Sequence, residues 1–213
     1  QLTSLTIARE WERGSMEQLI STPIKGPELI AGKLLPYFII GMLDVLLAVL
    51  MGQFLFHVPL RGSPALVFVA ASVFLVGALS LGLLISIATK SQLLASQLAM
   101  VLTFLPSFLL SGFMYAISNM PGAIQVITYA IPARYFVALL KGIYLKGLGL
   151  EVLVGQALLL TAFGMVTVLL AGLTTFFGFL SLATNQITGI REWGISSAIG
   201  VLFAVIIATS MIP

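Results

Sequence analysis

The sequence predicts an all-α fold, a polytopic transmembrane helical bundle. Three observations carry that prediction. Apolar residues make up 60% of the chain and charged residues 8%, with a mean hydropathy of +1.15, far from the roughly 25% charged residues of a soluble domain. The apolar residues gather in runs that match the ~20 helical residues needed to cross a hydrocarbon core of about 30 Å. The charges, by contrast, concentrate near the start, between Arg9 and Pro23. The 213 residues read as a single membrane domain, 1–213, because no long polar stretch leaves room for a soluble one.

The opening polar segment contains Arg9, Glu10, Glu12, Arg13 and Glu17 ahead of the first long apolar run. Ser15 followed by Gln18 matches a capping box, so Gly14 is expected to separate two short helices. Thr22-Pro23 closes the second, since the residue before proline is pushed out of the helical region. Pro27 and Glu28 fit the first turn of the next helix. The segment is either a charged handle on the cytoplasmic side or an amphipathic helix lying on the membrane, helped by Leu5, Trp11 and Leu19. Periodicity does not separate these two readings.

Residues 34–56 form the first expected span and residues 65–88 the second, joined by a tight connection with Pro59 and Pro64. Residues 93–114 form the third, with a kink expected at Pro106, whose ring removes a backbone donor and crowds the preceding turn. Residues 152–175 form the fourth. Between the third and fourth, 115–151 contains apolar pieces at 122–131 and 133–145, each too short to cross, and these read as short re-entrant or interfacial outer helices. Tyr115, Tyr129, Tyr135, Phe136 and Tyr144 suit headgroup level there. Residues 176–213 form an atypical tail with a candidate extra span at 195–212, preceded by a connection at 185–193 that holds Arg191 and Glu192.

Loop charge sets the expected orientation. With the N-terminus inside, the inner side holds Arg9, Arg13, Lys25, Lys33, Lys90 and Arg191, and the outer side Arg61, Arg134, Lys141 and Lys146. The excess is small, and its sign favours a cytoplasmic N-terminal end. The chain opens at Gln1 without a basic leader or cleavage site, and it is expected to be the later part of a longer protein.

Several chemistries are disfavoured. The net charge of +3 and pI near 9.4 come from scattered Lys and Arg, with no basic run interleaved with aromatics, so nucleic acid is not an expected partner. The absence of cysteine removes disulfides, thiolate metal sites and cysteine nucleophiles. Gly26 to Lys33 superficially resembles a phosphate-binding loop. One residue too many separates Gly26 from Gly32, and Leu34 stands where a hydroxyl would meet magnesium. His57, the single histidine, sits at a span end without nearby ligands and reads as a solvated loop residue. Asp44 lies in the middle of the first span, where an ionised carboxylate costs about 2.5–3.5 kcal/mol on insertion scales. It is therefore expected to face a cavity or a partner, as a candidate substrate-path residue or as a structural hydrogen-bonding group. Small residues recur every fourth position at Ala78, Gly82 and Ser86, and from Ser91 through Ala95, Ala99, Thr103 and Ser107 to Ser111. Such stripes favour close helix packing or a subunit interface.

The order Glu12-Arg13-Gly14-Ser15-Met16-Glu17-Gln18-Leu19, then Thr22-Pro23, Glu28, Gly32-Lys33 and Pro36-Tyr37, resembles permeases of the type-2 ATP-binding cassette (ABC) exporter family, in its multidrug-like bacterial inner-membrane branch. Pro59-Leu60-Arg61-Gly62-Ser63, Ser111-Gly112-Phe113-Met114, Asn119-Met120-Pro121, Pro132-Ala133-Arg134-Tyr135-Phe136 and Leu145-Lys146-Gly147 follow in that family's order, so that the resemblance covers roughly 4–173.

The resemblance implies a six-span permease of which this chain holds the last four family spans. Residues 1–26 would be the cytoplasmic coupling region, an amphipathic coupling helix seated on a separate ATPase subunit. Glu12, Arg13 and Glu17 would make polar contacts there, Gly14 and Pro23 would set the shape, and Glu10 and Thr22 would belong to the same coupling region. Residues 115–151 would be the outer re-entrant region, held by Pro121, Pro132 and Arg134. The chain itself would carry no catalytic residue, cofactor or metal, since ATP and magnesium belong to the partner ATPase. Further implied partners are a second permease chain (homo- or heterodimer), a membrane-fusion adaptor and membrane lipids. The resemblance places the protein in the bacterial cytoplasmic membrane and leans towards export of drug-like, lipid or other amphipathic molecules. The competing reading is an ATP-independent channel or scaffold. An intramembrane hydrolase is weaker, because only Asp44 is ionisable deep in a span.

Overall fold

A computed structural model describes residues 2–15, 26–89, 91–181 and 188–210, all helical or in short connections, with no strand among them. A 3-10 turn, Leu2–Leu5, leads into α1, Thr6–Glu12. Gly14 adopts a φ of +67°, a left-handed conformation that costs glycine little. Helix α2, Gly26–Phe54, starts with Glu28 in its first turn. Glu17, Gln18, Leu19, Thr22, Pro23, Lys25 and Lys90 lie outside the described residues.

Among the described residues four helices are long and apolar enough to cross a membrane: the Ala31–Phe54 part of α2, α3 at Pro64–Thr89, α4 at Gln92–Leu110, and the Glu151–Gly178 part of α7, whose full range is Leu150–Ser181. The chain is a multi-pass membrane protein. Helix α4 is shorter than the 93–114 expected from hydropathy. It stops at Leu110, and the chain turns through Gly112 at φ +81°. Its centre, Met100–Phe104, is a π-helical turn immediately ahead of Pro106. A wide turn there relieves the clash between the proline ring and the preceding carbonyls, so that the expected break is a bulge. Helix α7 continues past Thr175 to Ser181 without interruption. Arg191 and Glu192 stand in α8, Thr188–Ser210, whose apolar part is Gly194–Ile206.

Between α4 and α7 come a 3-10 turn, Ile117–Asn119, then α5, Gly122–Thr128, and α6, Pro132–Lys146, the last turn of which is π-helical. The axes of α5 and α6 meet at 87°, the shape of a broken span or re-entrant loop. Pro132 at the first position of α6 enforces the break, because it pushes Ile131 to an extended ψ of 112°.

The contacts divide the chain into two compact units whose boundaries fall inside helices: residues 1–37, 77–99 and 165–213 in one, and 38–76 and 100–164 in the other. In the second, Val49, Val67, Ala70, Leu139, Ile143, Leu153 and Leu160 form the core, and the Phe74 and Phe136 rings stack at 4.5 Å. Phe136 is therefore packed against this core, as are Tyr135 and Tyr144. It shares one face of α6 with Leu139, Leu140 and Ile143, the 3–4 residue spacing that a helix turns inward. In the first unit, Ala8, Ile85, Ala95 and Ala99 pack with Leu5 and Leu81, and Ala198 and Val201 pack with Phe176 and Val205.

Candidate functional site

The N-terminal polar segment is built from α1 and braced by helices distant in sequence. The Ser86 hydroxyl accepts hydrogen bonds from the Ile7 and Ala8 backbone N–H groups at 3.0 and 2.9 Å, supplying partners for donors at the start of α1, whose own N-cap position, Leu5, gives no side-chain bond. A Cβ on Gly82 would fall on the Thr3 hydroxyl, and Ala8 packs among Ala95 and Ala99. The small-residue stripes of α3 and α4 thus receive this chain's own N-terminal segment, which resolves the choice between internal packing and a subunit interface at Gly82, Ser86, Ala95 and Ala99.

Each acidic residue of α1 has a partner. The Glu10 carboxylate accepts from the Ser15 hydroxyl and pairs with the Lys33 ammonium at 3.2 Å. The Ser15 hydrogen bond, helped by Lys33 and opposed by partial burial, holds Glu10 below its ordinary pKa. Glu12 reaches the start of α4. Its two oxygens accept from the Gln92 backbone N–H at 2.7 Å and from the Gln92 side-chain amide at 2.5 Å. The backbone N–H, followed by the side-chain amide, lowers the Glu12 pKa. A carboxylate at a helix N-terminus satisfies free N–H groups and complements the positive end of the helix dipole.

These contacts change the expected division of roles. Glu10 and Glu12 are bonded within the chain, and Arg9, Trp11, Glu12 and Arg13 are all exposed. A cleft of about 330 Å³ lies between this segment and α2, lined by Arg9, Glu10, Lys33 and Tyr37 among others. Gln92 and Ser86 were not singled out as bracing residues from sequence. Ser86 stood in a small-residue stripe, but no local signal points from Glu12 to a residue 80 positions away.

Asp44 is exposed on the lateral surface of α2, and among the described residues no hydrogen bond or ion pair reaches it. Leu43 and Leu47 near it on α2 are 52% and 56% exposed.

In the outer region Arg134 ties α6 to the C-terminal end of α5. Its Nη1 donates to the Thr128 hydroxyl and to the Gln125 carbonyl at 3.5 Å, and its guanidinium lies 3.8 Å from the Tyr129 ring centroid. Cations stabilise the last carbonyls of a helix for this reason. Pro121 caps α5 through its carbonyl, which accepts from Ile124 and Gln125. Other segments meet nearby: Lys141 donates to the Gly112 carbonyl at 2.7 Å, and the Arg61 N–H donates to the Tyr144 carbonyl at 3.3 Å. A Cβ on Gly62 would stand 2.7 Å from the Ile143 carbonyl oxygen, so only glycine fits. Gly147, at φ +64°, ends α6 in a left-handed cap, with the Leu148 N–H donating to the Gly142 carbonyl. The motif segments around Arg61, Gly112, Arg134 and Gly147 therefore meet in one structural neighbourhood.

Residues 1–173 match the family described as ABC-2 family transporter protein. The chain belongs to the ABC-2 transporter family. Among its relatives in that family, the probable multidrug ABC transporter permease YbhS of Escherichia coli (strain K12) is 48% identical over 174 residues, which is 82% of this chain and 46% of YbhS. The probable multidrug ABC transporter permease YbhR of the same organism is 31% identical over 151 residues, 71% of this chain and 41% of YbhR. The linearmycin resistance permease protein LnrN of Bacillus subtilis (strain 168) is 28% identical over 164 residues, 76% of this chain and 42% of LnrN. The chain thus spans about half the length of the curated relatives it matches. No solved structure matches it significantly. The ABC-2 match ends inside α7, so α8 lies beyond it.

Proposed function

We propose that this chain is the membrane-spanning part of a permease in an ATP-driven ABC exporter, itself without catalytic activity, and that separate ATPase subunits holding ATP and magnesium drive it through the N-terminal segment. The observation that carries this reading is the bracing of α1. A short charged helix is tied by Glu12 to the start of α4, by Glu10 to Lys33 on α2, and by Ser86 to α3. A push on α1 would be delivered to the starts of α2 and α4 and to the end of α3 at once, as a lever on a bundle requires. The exposed Arg9, Trp11 and Arg13 are open to a partner, and Glu17, Thr22 and Pro23 complete the proposed coupling region.

The proposed setting is the bacterial cytoplasmic membrane with α1 on the inner side and α5–α6 at the outer face, where Pro121, Pro132 and Arg134 keep the short helix pair in shape. Two permease chains, alike or different, would enclose the path. Asp44, on the open face of α2, would line it or meet the second chain, since an intramembrane carboxylate is costly facing lipid. The likeness to the probable multidrug permeases of E. coli favours drug-like or other amphipathic cargo, and a membrane-fusion adaptor would carry it onward.

Copurification tests the coupling assignment. The full-length protein is co-expressed with its candidate ATPase, and pulled-down ATPase is quantified for Arg9→Glu/Arg13→Glu and for Glu12→Gln. The double reversal is expected to abolish copurification, because both arginines are exposed. Glu12→Gln is expected to preserve assembly while weakening transport, because that carboxylate acts within the chain. Undiminished assembly and ATPase activity in the double reversal would sink the docking face.

A further inference from the structure

The structure assigns a second candidate site, distinct from the N-terminal lever. A cavity of about 570 Å³ opens beside the broken helix pair, between the turn after α4, the outer face of α6 and the first part of α7. It is lined by Arg134 and Lys141 on α6, Tyr129 at the end of α5, Ile117, and Gln156 and Leu159 on α7, with further small and apolar residues between them. The size lies within the roughly 300–1,000 Å³ of small-molecule pockets.

The charge balance of the wall decides what fits. Two cations line the cavity and no carboxylate does, and among the described residues neither Arg134 nor Lys141 is held by a carboxylate. The Lys141 ammonium makes one hydrogen bond, to the Gly112 carbonyl, and Arg134 uses Nη1 on α5, so both retain donors for a further acceptor. Two cations in one cavity without counter-charge favour an anion. Ser111, Tyr135 and Gln156 add polar groups to the wall, and its apolar part, with Ile117, Val137 and Leu159, would accept a chain or ring. We propose that this cavity binds an anionic amphiphile: a phosphate, sulfate or carboxylate head between Lys141 and Arg134, with its apolar body against α7. The head would exchange water for charge-assisted hydrogen bonds. Tyr129, 60% exposed and already carrying the Arg134 guanidinium on its ring, would form the wet rim. The site stands on this geometry alone and does not depend on the exporter reading. A resident bilayer lipid and a soluble amphiphile share the required chemistry.

The test uses native mass spectrometry of the full-length protein released from nanodiscs. Discs of phosphatidylcholine alone are compared with discs containing phosphatidylglycerol, and dodecyl phosphate, dodecyl maltoside and inorganic phosphate are each added to phosphatidylcholine discs. Retention of phosphatidylglycerol about tenfold above phosphatidylcholine is expected for a resident lipid. The same preference for dodecyl phosphate over dodecyl maltoside, without phosphatidylglycerol retention, identifies a soluble amphiphile. In either case Lys141→Gln, at an exposed position, is expected to remove most of the preference, and Lys146→Gln, outside the cavity, to leave it intact. Equal retention of charged and uncharged amphiphiles overturns the proposal, as does a preference untouched by Lys141→Gln or removed equally by Lys146→Gln. Inorganic phosphate binding as well as dodecyl phosphate also overturns it, by removing the role of the apolar wall. Arg134→Gln is kept as a secondary variant, because Arg134 also holds α5.

Discussion

The carboxylate of Glu12 caps the helix that begins at Gln92, taking its backbone N–H at 2.7 Å and its side-chain amide at 2.5 Å. One side chain thereby joins the N-terminal segment to the turn between the second and third long helices. The same logic operates at Glu10, with Ser15 and Lys33 as donors.

Both carboxyls are held below their ordinary value of 4.5 in the folded chain, and the sign of the pH effect follows. A depressed folded pKa contributes stability above the unfolded value, and that stability is lost as pH falls through the folded one. The thermal stability of the full-length protein is expected to fall as pH drops below 4.5. Glu10→Gln/Glu12→Gln should flatten this part of the profile, and Glu12→Gln alone should speed amide exchange in 92–96.

Gly62 meets the backbone of a buried residue. Adding a methyl group brings Cβ to 2.7 Å from the Ile143 carbonyl, which α6 cannot readily move because Ile143 is 2% exposed. Gly62→Ala is expected to destabilise by about 1–3 kcal/mol, the usual cost of overpacking, read as a lower unfolding temperature in detergent.

Arg134 holds the end of α5 through Thr128, Gln125 and Tyr129. Arg134→Met is expected to cost about 1.5–3 kcal/mol, the value of a hydrogen bond to a charged group, with faster exchange of amides 125–131. Arg134→Lys should recover only part, since an ammonium cannot reproduce the planar fork and ring stacking.

Asp44 has no partner among the described residues although it sits within a span. If it lines the path, Asp44→Asn is expected to lower export several-fold while membrane insertion is retained. A transport rate equal to the parent's would remove it from the path.

Much of the fold was legible because the signals are local. Run length identified the four crossing helices, prolines marked the break between α5 and α6, and Gly14 marked the end of α1. Boundaries were less legible where neighbouring residues gave no contrast. Helix α4 ends at Leu110 because Gly112 turns left-handed, although the apolar run continues to Met114.

By itself the sequence determined that the chain crosses a membrane several times, that its charges gather on a short helix before the first span, and that two short helices interrupt the bundle. Only the tertiary structure decided that Glu12 and Glu10 bond to Gln92 and Lys33, that Ser86 receives the start of α1, that Phe136 stacks on Phe74, and that Arg134 and Lys141 line one cavity. The physical reason is that helices apolar on every side carry no periodic mark separating a packed face from a lipid-facing one, whereas pairing between residues 80 positions apart depends on how those helices come together.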